Sequence, residues 1–222
     1  MLIKTEALVL KRIPYGENSA VVHLFCQSHG ILSFIFSGVQ GKKGKSALLR
    51  PGTFLEVVFN FTEKQSLLRA KEIKATEPFM TEDFLSNNTA LICTELIRNT
   101  MPDQMPDENL FLSVKTDFSR LYRRNETDLW FLHRFIINLC ESAGHGLALH
   151  AEEANIHTGW LSGISKENNL LLLQKLLNRE TPIADRLARR KLAEQLLSYM
   201  GEVVFPGKDV RSFKVMLEVL DN

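Results

Sequence analysis

Glycine and lysine crowd together between Ser37 and Ser46, in the stretch SGVQGKKGKS. Gly38, Gly41 and Gly44 recur every third position, and Lys42, Lys43 and Lys45 lie among them. Ammonium groups and unhindered backbone amides are the means by which a loop holds phosphate. The closing Gly44-Lys45-Ser46 resembles the end of a nucleotide-binding P-loop, but that motif needs a glycine five positions before Gly44. Val39 stands there, and Gly38 is one place too early. A P-loop must also open a helix, whereas "ALLRPG" follows and Pro51-Gly52 leaves room for one turn. Both requirements fail, so a nucleoside-triphosphate site is set aside. Two readings stand: a loop that meets a nucleic-acid backbone, and a solvated turn.

Other side chains with chemical potential are less well placed. His145, His150 and His157 follow Cys140 at spacings of five, five and seven, which match no common zinc-ligand pair, and no Cys-x-x-Cys occurs. Solvated or locally bonded histidines are expected there, and no metal. Cys140 falls on the apolar side of a predicted helix, which argues against a Cys–His nucleophile. Glu152 and Glu153 are adjacent and do not converge on one substrate. With no convergent acid, base or nucleophile, neither an enzyme nor a cofactor is expected. Arg186, Arg189 and Arg190, at i, i+3 and i+4, share one helix face. That face is either the solvated side of an amphipathic helix or a contact for an anionic partner. Lys11, Arg12 and Arg50 join the loop lysines as candidate DNA-binding residues, because clustered cations bind a polyanion by counterion release without reading its sequence. Tyr15, Phe34 and Phe36 are candidates for base stacking, with core packing the expected role of most phenylalanines.

The elements that must position these groups divide into two kinds. Residues 1–80 hold five short runs rich in Val, Ile and Phe: 6–12, 19–26, 31–37, 54–60 and 66–73. Turn residues separate them, namely Pro14 and Gly16, His29-Gly30, the glycine-lysine loop and Pro51-Gly52. Five strands in so short a span suit a small closed barrel, and the five-stranded OB-fold is expected. Residues 81–222 read as helices. Thr81 is the expected N-cap of the first, with Glu82 and Asp83 in its first turn. Phe111, Val114, Phe118 and Leu121 mark a second helix. A third follows Asp128 and ends near Gly144, and a fourth runs through "NNLLLLQKLLN". Thr181-Pro182 opens a fifth that extends to about Met200, with Ile183, Leu187, Leu192, Leu196 and Met200 as its apolar side. Val210, Phe213, Leu217 and Leu220 mark the last. The expectation is an α+β chain of two modules, an OB-fold over 1–80 and an all-helical domain over 81–222.

Composition agrees. The hydrophobic fraction of 45% belongs to a globular chain. No apolar run reaches the roughly 18 residues that a bilayer span requires, and "MLIKTEALVL" lacks a cleavable signal layout, so a cytoplasmic protein with no membrane partner is expected. The sparse, odd set Cys26, Cys93 and Cys140 suggests reduced core thiols. Net charge is +1 overall, yet residues 1–80 carry eight lysines and three arginines against six glutamates, a net +5. Residues 81–222 carry 16 basic and 20 acidic side chains, a net −4. The contrast hints at two modules with different tasks.

The run "ALVLKRIPYGENSAVVHLFCQSHGILSFIFSGVQGKKGKS" resembles the N-terminal signature of the bacterial recombination mediator RecO. Tyr15-Gly16-Glu17, Leu24-Phe25, Gly30, Gly38 and the lysines at 42, 43 and 45 occupy its places, and "LLRPGTFLEVVF" continues it. "VRSFKVMLEVL" (210–220) resembles the family's closing helix. The resemblance implies an OB-fold followed by a helical domain. It implies binding of single- and double-stranded DNA and annealing of complementary strands. It also implies work with RecR and with single-strand-binding protein to load RecA. An acidic, apolar tail on single-strand-binding protein would need a dock, for which Arg186, Arg189 and Arg190 are the candidates. Many members carry a four-cysteine zinc site after the helix corresponding to 128–143. Here the segment is "AGHGLALHAEEANIHTGW", without paired cysteines, so no zinc is expected. The rival reading is a protein-interaction adaptor that keeps the fold and binds no DNA.

Overall fold

The computed structural model describes residues 1–39, 45–62, 65–77, 83–123, 128–147 and 168–221, the last five of these as helical backbone only. The five apolar runs form five strands: β1 (Leu2–Tyr15), β2 (Ser19–Cys26), β3 (Gly30–Ser37), β4 (Phe54–Asn60) and β5 (Leu68–Ala75). Neighbours are antiparallel except at the short β3–β5 seam, where Phe34 lies opposite Leu68 and Ile35 opposite Arg69. The order β1-β2-β3-β5-β4 closes on itself through β4 and β1, which is the OB-fold topology. β1 is longer at both ends than the run 6–12, and β5 lies two residues later than 66–73. Every second residue of the strands fills the barrel: Ala7, Val22, Leu24, Phe34, Leu55, Val57 and Phe59 are fully buried.

A single β-bulge sets the geometry of β1. Val9 pairs with Leu24 and Lys11 with His23, leaving Leu10 as the extra residue. Beside the bulge, the turn that leads into β4 extends the β1–β4 ladder by one more residue. Val9 N donates to Thr53 O at 2.9 Å, and Gly52 N donates to Val9 O at 2.9 Å. Gly52 has φ +90°, a conformation that favours glycine, and its carbonyl accepts from the buried Tyr122 hydroxyl at 3.0 Å. Gly30, at φ +66°, is fixed by a different constraint: a Cβ there would collide with the backbone carbonyl of Met105.

Helices α1 (Phe84–Thr100) and α2 (Glu108–Leu121) belong to the same compact unit as the barrel, residues 1–127 with 211–222. The change from strand to helix near residue 80, where the expected boundary between 1–80 and 81–222 falls, stays inside this unit. Phe111 and Phe118 of α2 pack edge-on against Phe54, and Phe111 also against Phe25, covering the barrel's flank. Asp83 caps α1 by accepting from Ser86 N at 2.7 Å, whereas the expected cap, Thr81, lies outside the described residues. Asp107 caps α2 through Leu110 N at 2.9 Å.

The second unit, residues 128–210, contains α3 (Phe131–Ser142), α4 (Asn168–Leu177) and α5 (Arg186–Tyr199), the last running into a π-helical turn at Met200–Val204. In the first unit α6 (Arg211–Asp221) begins on Glu95 of α1, whose carboxylate accepts from Arg211 N at 3.1 Å and Ser212 N at 2.9 Å. That carboxylate stands where the positive end of the helix dipole is strongest.

The start of α5 differs from expectation. Thr181-Pro182 does not open it; Asp185 does, accepting from Ala188 N at 2.7 Å. Tertiary bonds draw the earlier residues away: Trp130 Nε1 donates to Pro182 O at 2.9 Å, and Arg134 Nη2 to Thr181 Oγ1 at 3.1 Å. The expected apolar side is therefore cut back. Leu192, Leu196 and Met200 are buried, but Ile183 is 98% and Leu187 59% exposed.

Stability should respond at two of these positions. A Cβ on residue 52 would lie 2.7 Å from the Tyr122 hydroxyl. Gly52→Ala should therefore cost about 1–3 kcal/mol and Tyr122→Phe about 1 kcal/mol in urea unfolding. The double variant should cost less than the two together, because removing the hydroxyl relieves the clash; strict additivity would count against this coupling. The second position is His133, only 4% exposed in α3. Its Nε2 donates to Arg189 O at 2.8 Å while Nδ1 has no partner, so the ring is neutral. Burial lowers its pKa from 6.5 to about 4, against the opposing backbone bond. The unfolded chain takes up the proton first, so stability falls as pH drops from about 6.5 to about 4, by about 3 kcal/mol from this group. His133→Gln should be less stable at neutral pH and lose correspondingly less across that window in pH-dependent denaturation.

Candidate nucleic-acid interface

The bulge at Leu10 decides which way the end of β1 faces. Ile3, Ala7 and Val9 point into the barrel. Continued alternation would turn Lys11, Ile13 and Tyr15 inward as well. The extra residue reverses the phase, and these three stand opposite His23, Val21 and Ser19 on the outside. Arg12 takes the inward phase opposite the buried Val22, near the barrel mouth. From there its Nη1 donates to Ser46 O at 3.1 Å and to Ser46 Oγ at 2.7 Å.

The glycine-lysine loop is thereby rooted on the β1–β2 hairpin at both ends. At its start, Gly38 N and Val39 N donate to Asn18 O at 2.9 and 3.2 Å, and Val39 is buried in the barrel core. At its end Arg12 holds Ser46, and Leu49 is fully buried. Lys42 and Lys43 lie outside the described residues. Lys11, Lys45 and Arg50 are exposed and, among the described residues, in no ion pair. Arg12, half-buried, spends its guanidinium on the loop.

Of the candidate stacking aromatics, Phe34 and Phe36 are core residues, while Tyr15 is 60% exposed at the hairpin's end. Arg69, exposed on β5 opposite Ile35, belongs to the same outer surface and was missed from sequence, because only the β3–β5 register brings it there. His23 adds no charge: burial first, then Arg98, lowers its pKa, and its Nδ1 pairs with Ser33 Oγ at 2.9 Å. Farther along β1 a cleft of about 410 Å³ is lined by Lys4, Glu6, Gln27, Glu56 and Glu108 among others. Glu56 pairs with Lys4 at 3.0 Å and Glu6 with Lys115 at 2.7 Å, so these charges cancel and offer no cradle to phosphate.

In the second unit the three arginines share a face, but differ in use. Arg189 Nη1 donates to Ala184 O at 2.6 Å and Arg190 Nε to Glu194 Oε1 at 2.9 Å, while Arg186 is exposed. Cys140 is buried, and burial pushes its thiol up to about 12, far from a nucleophile's range. Among the described residues no group of His, Cys, Asp and Glu gathers as a metal set. His150, His157, Glu152 and Glu153 lie outside them. No described helix is long and apolar enough to cross a membrane.

Comparison with known proteins bears on both parts of the chain. The family model described as "Recombination protein O N terminal" matches residues 1–79, which take in all five strands. Similar proteins include DNA repair protein RecO of Flavobacterium psychrophilum, 31% identical over 121 residues (52% of this chain, 51% of that protein). That of Salinibacter ruber is 29% identical over 123 residues (54% and 47%). These two matches span about half the length of each relative. DNA repair protein RecO of Xylella fastidiosa (strain M23) is 30% identical over 244 aligned residues, covering 97% of this chain and 96% of that protein. A match of that extent takes in the helices as well as the barrel, and with it the chain belongs to the RecO family of DNA repair proteins.

Proposed function

We propose that this chain serves homologous recombination as a mediator that binds single- and double-stranded DNA and anneals complementary strands. It also helps to load recombinase, RecA, onto strands coated by single-strand-binding protein, together with RecR. The observation that carries this reading is the set Lys11, Lys45 and Arg50, exposed and in no ion pair among the described residues, around a loop rooted on an OB barrel. Such cations meet phosphates without reading bases. Annealing requires just this: phosphate repulsion is screened while base edges stay free to pair. It needs no nucleotide hydrolysis, in agreement with the broken P-loop spacing. A pure adaptor would owe nothing to the lysines, which separates the two readings by experiment.

The dock for an acidic, apolar protein tail is assigned to the start of α5. Arg186 offers charge there, and Ile183 and Leu187 offer exposed apolar surface beside it. Arg189 and Arg190 extend the basic face.

Replacing Lys42, Lys43 and Lys45 together by Ala should weaken both kinds of DNA similarly. In binding titrations over a range of salt, the log–log slope should fall in magnitude by roughly 0.7–0.9 for each phosphate that is no longer neutralised. A folded triple variant with unchanged affinity and slope would reject the DNA-binding role of the loop. Annealing of complementary oligonucleotides should proceed without ATP and fail in the triple variant. Replacing Arg186, Arg189 and Arg190 should spare annealing of bare strands and impair it on coated ones; equal failure on both would refute the division of labour.

A further inference from the structure

A guanidinium at a protein surface is usually met by a carboxylate, and the pair then carries no net charge. Arg12 is met by serine instead. Its Nη1 donates to Ser46 O at 3.1 Å and to Ser46 Oγ at 2.7 Å, and among the described residues it is in no ion pair. Both acceptors are neutral, so the side chain fastens the loop's end and stays positive. A carboxylate at position 46 would fasten it as well, but would put a negative charge at the root of a loop that has to meet phosphate.

Where the bond falls along the chain matters as much. Val39 is buried in the barrel core before the lysines, and Leu49 is fully buried after them. One turn, closed by Leu49 N donating to Lys45 O at 3.1 Å, leads back from Leu49 to Ser46. Were that turn to open, the stretch between anchors would grow from six residues, 40–45, to nine, 40–48. Closure cost rises slowly with length, so this lengthening alone changes little, about twofold. Arg12 chiefly adds direction. Asn18 O takes the loop's first amides, and Arg12 holds its last residue. Both belong to the β1–β2 hairpin, so the segment that carries Lys42, Lys43 and Lys45 leaves from and returns to one piece of structure.

We infer that Arg12 is a positioning residue for DNA: through Ser46 it holds the lysine segment to the β1–β2 hairpin, so that several ammonium groups meet one phosphate backbone together. This rests on the DNA-binding reading above and deepens it. It gives an uncharged residue, Ser46, a part in binding a polyanion, which no count of cations would assign. The tether serves single- and double-stranded DNA alike, because both present phosphates to it.

The test is a double-variant cycle on the full chain, reading affinity for a single strand and for a duplex of equal length across a salt series. Arg12→Lys keeps the charge and loses the planar fork that reaches both acceptors. Ser46→Ala keeps every charge and removes one acceptor. Each should weaken both DNAs by roughly 3- to 10-fold, less than the full worth of a hydrogen bond to a charged group, because the untethered loop still reaches phosphate. The log–log salt slope should stay unchanged, since the same phosphates are neutralised. The double variant should bind no more than about twofold worse than the weaker single variant, because both changes break one contact. Urea unfolding checks that each variant is folded under the binding conditions, and Ser46→Ala, at a half-buried turn position, carries the test alone if Arg12→Lys does not fold. Unaltered binding by Arg12→Lys would show that only its charge counts, and unaltered binding by Ser46→Ala that the contact is idle. Additive losses would show that the two residues act separately, and a slope lowered by roughly 0.7–0.9 that Arg12 itself neutralises a phosphate. Any of these overturns the inference and leaves the role of the loop lysines standing. Absence of DNA binding by the unaltered chain would overturn the parent reading and this one with it.

Discussion

The extra residue in β1 is the constraint on which the interface depends. A closed barrel admits only one phase of alternation, because its interior must be filled by apolar side chains. A strand crossing the whole barrel would bury Lys11, Ile13 and Tyr15 if that phase persisted to its end. The bulge at Leu10 lets one strand obey the core over its first half and expose a different set over its second. Beside it the β1–β4 ladder ends in bonds from Val9 to Thr53 and Gly52, and Tyr122 of the α2 C-terminus holds Gly52 in turn. α2 thus holds the turn that joins β1 to β4 beside the bulge. The same change of phase turns Arg12 toward Ser46, so one irregularity exposes a surface and anchors the loop beside it.

Much of the fold was legible because it rests on local pattern. Runs rich in Val, Ile and Phe, bounded by turn residues, gave five strands, and five strands in so few residues gave the barrel. The spacing of Phe111, Val114 and Phe118 gave α2, all three being buried against the sheet. What was illegible depends on interactions between distant residues. The bulge has no sequence mark, since "ALVLKRIPY" contains no glycine or other sign of an extra residue, and Arg69 enters the surface only through a two-pair parallel seam. Thr181-Pro182 has every local qualification for a helix start, and loses it to Trp130 and Arg134, some fifty positions earlier.

The candidate site shows the same division. Exposure of Lys11, Lys45 and Arg50 agrees with a charge argument that needs no structure. Arg12, one of the six candidate cations, differs from the exposed ones in that its Nη1 is bonded to Ser46, which a charge argument does not foresee. The contrast between +5 in residues 1–80 and −4 afterwards also takes a different meaning. Counted by compact unit, 1–127 with 211–222 carries 18 basic against 16 acidic residues, and 128–210 carries nine against ten. The units are nearly neutral; the asymmetry lies within the first, between the barrel and the helices packed on it.

That internal asymmetry is arranged along β1. At its beginning, Lys4 is met by Glu56 and Glu6 by Lys115 of α2, so positive and negative charges cancel at close range. Pairs of this kind add little stability, and with Glu108 beside them they leave no excess positive charge at this end. At the other end α2 supplies no carboxylate, and Lys11, Arg69, Lys45 and Arg50 are in no ion pair among the described residues. A polyanion approaching the barrel gains counterion release only at that second end, where phosphates replace mobile ions rather than competing with fixed carboxylates. Pairing at the beginning of β1 leaves the other end as the landing surface for the DNA of the proposed function, and the bulge at Leu10 lies between the two.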